Sequence, residues 1–132
     1  MGFNILIADD SGTMRSMVAK TLQMSGLPIG RIHEAGNGQE ALAIIEREWI
    51  DILFVDINMP VMGGIELIDT LRAKRECASL PIVVISTESS QTRIDEVRKK
   101  GVQFIHKPFT PERVREVVQN LIGDPQDAAT SF

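Results

Sequence analysis

Residues 50–60 read IDILFVDINMP, a run in which Ile52, Leu53, Phe54 and Val55, with Ile57 beyond, surround one carboxylate, Asp56, before Asn58 and Pro60 break it. A short, continuous apolar run rich in branched and aromatic residues predicts a strand buried on both faces, as in a parallel sheet. Asp56 then lies at its carboxyl end, the edge of an open α/β sheet where ligands and chemistry gather. An Asp before a loop, taken alone, more often caps backbone amides. What Asp56 does therefore depends on which residues the rest of the chain brings beside it.

Upstream, residues 3–8 (FNILIA) form a second such run, ending in Asp9-Asp10. Met14, Met17, Val18, Thr21 and Leu22 follow at helical spacing and predict the core face of a first helix, closed near Gly26 with Pro28 beyond. Residues 31–35 predict a short second strand, and Gly36-Asn37-Gly38 a turn into a second helix. That helix carries Ala41, Leu42, Ile45 and Trp49 on one side, with Trp49 closing the core edge. After the third strand, 51–56, comes a Gly/Pro-punctuated loop, 58–64. The third helix buries Leu67, Ile68 and Leu71 and turns Arg72, Lys74, Arg75 and Glu76 to solvent. Residues 82–85 (IVVI) predict a fourth strand running into Ser86-Thr87-Glu88. The helix over 91–100 has only Ile94 and Val97 as apolar anchors and is expected to be the least firmly held. Residues 102–106 predict a fifth strand, followed by Lys107-Pro108-Phe109. Thr110 is the expected N-cap, and Pro111 the first position, of a last helix built on Val114, Val117, Val118, Leu121 and Ile122. Gly123 stops it, and 124–132 reads as a loose polar tail.

Five strand-then-helix units with short connections predict an α/β domain over 1–123: a five-stranded parallel sheet, doubly wound, with five helices on its two faces. The 132 residues suffice for one core that buries roughly two-thirds of the unfolded surface. With 24% charged and 43% hydrophobic residues the composition is that of a globular domain. A net charge of −4 disfavours direct nucleic-acid binding, which draws on Lys and Arg, and favours metal cations or basic partner surfaces. The lone Cys77 cannot form an internal disulfide. The N-terminus lacks a basic leader, and no apolar run approaches the roughly 20 residues that span a bilayer, so a cytoplasmic protein is expected.

Asp9-Asp10, Asp56, Ser86 and Lys107 each stand at a strand end. The strand order 2-1-3-4-5, taken as a template from flavodoxin-like sheets, would bring all of them together around Asp56. Three crowded carboxylates need a cation, and oxygen ligands without His or thiolate select Mg²⁺ or a similar hard ion. Lys107 and the Ser86 hydroxyl could serve a transferring phosphoryl group, so the set reads as phosphoryl transfer to Asp56. The alternative for Asp9-Asp10 is simple capping of the first helix.

The pattern Asp9-Asp10, then D-I-N-M-P with Gly63-Gly64, then P-I-V-V-I-S, then K-P-F resembles the receiver domain of bacterial two-component response regulators. A-D-D-S-G-T-M-R further resembles the single-domain CheY type of chemotaxis. The resemblance implies that Asp56 is the phosphorylation site and that Asp10, Asp56 and the Asn58 carbonyl ligate Mg²⁺, with Asp9 acting mostly through water. It implies that Ser86 and Phe104 form the switch pair, that Lys107 pairs with the phosphoryl group across a cis bond to Pro108, and that Asn58 and Glu88 tune autodephosphorylation. The implied partners are a histidine kinase, a flagellar motor switch protein or other output protein, and a phosphatase, with the chain itself monomeric. Phe104 stands where the best-known chemotaxis members carry Tyr, and Gly63 where Asp is common. The competing readings are a receiver domain cut from a longer DNA-binding regulator, and a phosphatase of the haloacid-dehalogenase type. The latter would want a second acid where Asn58 stands.

Overall fold

Side chains of successive strand residues point to opposite faces, and here that alternation divides the apolar residues between two cores. Leu6, Ala8, Leu53, Val55, Ile82, Val84 and Phe104 belong to one; Ile5, Ile7, Ile52, Phe54, Val83, Ile85 and Ile105 belong to the other. The computed structural model describes residues 2–122. They form β1 (Phe3–Ala8), α1 (Gly12–Met24), β2 (Ile29–Ala35), α2 (Gly38–Arg47), β3 (Ile52–Val55), α3 (Gly64–Ala73), a 3₁₀ turn (Arg75–Cys77), β4 (Ile82–Ser86), α4 (Gln91–Arg98), β5 (Gln103–His106) and α5 (Pro111–Ile122). The strands make one sheet in the order β2-β1-β3-β4-β5, with every pairing parallel. The five helices and this order match the predicted doubly wound architecture. Helices α1 and α5 cover one face through Val18, Leu22, Val114, Val117 and Val118, and α2, α3 and α4 cover the other. The predicted stop at Gly123 and the tail over 124–132 lie outside the described residues.

Local signals place the elements. Ser11, Asn37 and Ser90 accept amides of the first turns of α1, α2 and α4 at 3.2, 2.9 and 3.4 Å, and Thr110 does the same for Arg113 at 3.1 Å. Gly64 could be no other residue, because a Cβ there would stand 2.2 Å from the Asp56 carbonyl oxygen. That close approach lets α3 start directly beneath the end of β3.

Three expectations fail, each for a physical reason. The core face of α1 is narrower than its Met and Val stripe, since Val18 and Leu22 are the residues it buries fully, Ala19 packs beside them, and Met17 is 52% exposed. Helix α2 ends at Arg47, so Trp49 leaves its face, stands 77% exposed and donates its Nε1–H to Asp51 Oδ1 at 2.8 Å. Arg72 is not a solvated helix end. Its guanidinium donates to the carbonyls of Leu80, Lys100 and Gly101 at 2.8, 2.9 and 3.0 Å, tying α3 to the segments that enter β4 and β5. Strand and helix bounds otherwise shift little: β2 begins earlier, at Ile29, and α4 ends earlier, at Arg98.

Candidate functional site

Parallel strands end at the same sheet edge, and hydrogen bonds carry the ladder one residue past them. The Asp56 amide donates to Ala8 O at 2.9 Å and the Lys107 amide to Ser86 O at 2.9 Å, so the backbones of both residues are fixed by neighbouring strands. Carboxylate oxygens of Asp9, Asp10 and Asp56 all lie within 4.8 Å of one another, the only such acid group among the described residues. The Lys107 ammonium approaches two of them, at 3.7 Å from Asp9 Oδ2 and 3.9 Å from Asp56 Oδ2.

Burial separates the three acids. Asp9 is buried and its carboxylate accepts the Ser11 amide at 2.9 Å, Asp56 is partly buried and accepts the Ile57 amide at 2.9 Å, and Asp10 is exposed. The Asp56 carboxyl titrates above its ordinary range. Burial raises it most, Lys107 opposes the rise, and Asp9 and then Asp10 add to it, with the Ile57 amide working against them. Three carboxylates against one ammonium leave excess negative charge at a rim made of oxygen donors, without imidazole or thiolate. That donor set suits a hard divalent cation such as Mg²⁺. Asp10 and Asn58 also share a cleft of about 510 Å³ with Ile57, Met59, Pro60 and Gly63.

Ser86 and Phe104 come together on the α4 side of the sheet. Val84 pairs with Phe104 and Ser86 with His106, so Ser86 and Phe104 are diagonal neighbours on one face. Ser86 is fully buried and its Oγ accepts the Glu88 amide at 3.1 Å. Thr87, beside it, is exposed. Phe104 is buried beneath Arg98, whose guanidinium carbon is 6.0 Å from the ring centre. The Glu88 carboxylate faces Arg93 at 3.6 Å. Gly63 is the N-cap of α3 and provides no side-chain cap, and the Lys107–Pro108 bond is cis. The structure thus joins Asp9, Asp10, Asp56 and Lys107 in one cluster, sets Ser86 and Phe104 beside each other, and leaves Asn58 and Glu88 on flanking loops.

One residue escaped the sequence reading. Arg15 donates to the Asp9 carbonyl at 2.7 Å and to Glu34 Oε1 at 2.9 Å, immediately behind the acid cluster. The available signal was a basic residue in the first turn of a helix, where the macrodipole disfavours it.

A doubly wound parallel sheet carrying an aspartate cluster and a lysine at its carboxyl edge defines a class of receiver-like α/β domains. Residues 5–119 match the model of the response regulator receiver domain, and the chain belongs to that family. It is similar to a chemotaxis protein CheY homolog of Campylobacter jejuni, 35% identical over 121 residues that cover 90% of this chain and 92% of the relative. Among solved structures it resembles chemotaxis protein CheY4 of Vibrio cholerae, with a TM-score of 0.80, 32% identity, and coverage of 92% of this chain and 100% of that one. The receiver domain of a Pseudomonas aeruginosa sensor histidine kinase, with a magnesium ion coordinated in its active-site cleft, shares the fold at a TM-score of 0.81 and 22% identity, covering 94% of this chain and 100% of its own. This is a family of signalling switches rather than of hydrolases, and the dehalogenase-type reading has no support beside it. Among the described residues no helix is long and apolar enough to cross a membrane.

Proposed function

We propose that this chain is a cytoplasmic response regulator of the chemotaxis type, with residues 1–123 as its receiver domain, which accepts a phosphoryl group on Asp56 from a partner histidine kinase. The observation that carries this reading is the Asp56 carboxylate at the end of β3 with the Lys107 ammonium 3.9 Å away and two further acids within 4.8 Å. An Asp56 oxygen attacks the phosphorus of a phosphohistidine, the P–N bond breaks, and the imidazole leaves with the electron pair and takes up a proton. Lys107 pairs with the transferred group. Asp10, Asp56 and the Asn58 carbonyl would hold Mg²⁺ directly and Asp9 through water. A cation so held offsets the charge of the phosphoryl oxygens.

The new charge draws Ser86 off its turn with Glu88, and Phe104 shifts into the space released. The face of α4, β5 and α5 is reshaped for a flagellar motor switch protein or another output partner, as a local electrostatic event that biases an existing equilibrium. The chemotaxis assignment follows the names of the relatives, while Asn58 and Glu88 set how fast water or a phosphatase removes the group.

The test is incubation with acetyl phosphate, or with beryllofluoride as a mimic, with and without Mg²⁺. The native chain should gain one phosphoryl group by mass in a Mg²⁺-dependent manner and Asp56→Asn should not. Absence of any adduct that depends on both Mg²⁺ and Asp56 sinks the reading. Trp49 is an unsuitable fluorescent reporter, since it precedes β3 and so stands at the opposite sheet edge from Asp56.

A further inference from the structure

Arg15 sits where a basic residue is least at home. Its amide bonds the carbonyl of the Ser11 cap at 3.0 Å, which puts it in the first turn of α1, and a cation there opposes the helix dipole. The guanidinium is nonetheless anchored on both sides, by the Asp9 carbonyl at 2.7 Å and by Glu34 Oε1 at 2.9 Å, and its side chain is only 24% exposed.

The identity of that carbonyl matters. It belongs to the peptide unit that joins Asp9 to Asp10, and a peptide unit is planar. A bond to the Asp9 carbonyl therefore fixes the plane between the two α-carbons from which both carboxylates project. The same turn is also held by the Asp9 amide, which donates to Ala35 O at 3.0 Å, and by the Ser11 amide, which donates to the Asp9 carboxylate at 2.9 Å. Glu34 pairs opposite Ile7 on the edge strand β2 and holds the guanidinium in the required orientation. The contact of Arg15 with the acid pair runs through the main chain, at the Asp9 carbonyl.

We propose that Arg15, oriented by Glu34, is a positioning residue for the cation site, acting through the Asp9–Asp10 peptide plane. This rests on the metal-assisted phosphoacceptor reading given above. The guanidinium fork can meet a carbonyl and a carboxylate together, which a lysine ammonium in its place does less well.

The full chain, stripped of metal, is titrated with Mg²⁺ by calorimetry as native protein, Arg15→Met, Arg15→Lys and Glu34→Ala. Loss of an outer partner of metal ligands costs roughly 10–100-fold in affinity. Arg15→Met is expected to weaken Mg²⁺ binding about tenfold or more on that scale, with Arg15→Lys and Glu34→Ala in between. Phosphorylation by acetyl phosphate should need correspondingly more Mg²⁺ for half its rate, while the rate at saturating Mg²⁺ stays near native. The Asp10 and Ser11 amides should exchange faster in the metal-free variant. Unchanged Mg²⁺ affinity in Arg15→Met, or a drop that Arg15→Lys does not partly recover, overturns the inference. If Arg15→Met does not fold, Glu34→Ala decides in the same way. Failure of the native chain itself to bind Mg²⁺ would instead overturn the reading of the site, and this inference with it.

Discussion

Asp56→Asn should make the metal-free protein more stable at neutral pH while abolishing its proposed chemistry. Asp56 is partly buried, and as an anion it feels Lys107 at 3.9 Å and Asp9 within 4.8 Å. At an effective dielectric near 20 those two interactions are worth about 4 kcal/mol of attraction and about 3.5 kcal/mol of repulsion, so they nearly cancel. Asp10 is exposed, and its repulsion is largely screened. What remains is a carboxylate taken from water with one amide bond, to Ile57, which an Asn side chain can still accept. Such a deficit is about 1–2 kcal/mol. It corresponds to a Tm rise of roughly 4 °C per kcal/mol for a domain of this size.

The pH dependence follows from the raised carboxyl of Asp56. Below the unfolded value of about 3.9 the group is protonated in both states and the penalty is absent. As pH rises toward and through the raised folded value the native state must ionise at a cost, so the penalty grows and is complete above it. The gap between Asp56→Asn and native protein should therefore open above about pH 4 and widen in chelator as pH rises through the raised folded value. Mg²⁺ should reverse the order, because a ligand at 100 times its Kd stabilises the form that binds it by about 2.7 kcal/mol. Urea unfolding in chelator and in Mg²⁺, at several pH values, reads all of this. A mutant no more stable than native at pH 7 in chelator, or a gap that does not change with pH, refutes the reasoning.

Lys107→Ala removes a cation that competes with a metal for Asp9 and Asp56, so Mg²⁺ affinity should hold or rise by calorimetry while phosphorylation by acetyl phosphate falls. Parallel loss of both would contradict the role given to Lys107. Arg72→Met strips charge-assisted bonds from the carbonyls of Leu80, Lys100 and Gly101 and should cost about 2–3 kcal/mol in urea unfolding, with faster amide exchange at the end of α4. Val61 holds φ at 67° while 75% exposed, a left-handed backbone that a β-branched residue tolerates poorly. Val61→Asn should stabilise the chain by about 1 kcal/mol, and a loss of stability would show that the side chain is needed there.

The sheet was readable because a strand buried on both faces can only be a run of apolar residues, and three of the five strands, β1, β3 and β4, are such runs. The acid and lysine cluster was readable for a related reason: once the strand order is set, residues just past parallel strands must meet at one edge. Trp49 and Met17 were misread because an apolar side chain at a plausible spacing says nothing about how much room the core has left. Arg72 and Arg15 were lost for a deeper reason. Both donate to main-chain carbonyls, which every residue has, so no residue type announces the partner. For Arg72 the bonded carbonyls at 100 and 101 lie 28 and 29 positions away, beyond any periodicity. Arg15 is the more instructive case, because its anomaly was local. A guanidinium at the positive end of a helix is disfavoured on its own terms, so its presence beside Asp9-Asp10 required a partner that outweighs the dipole, and the peptide between the two acids lies within its reach. A charge set against its own helix dipole next to a proposed ligand pair is thus a sequence-level sign of a residue that holds the ligands in place.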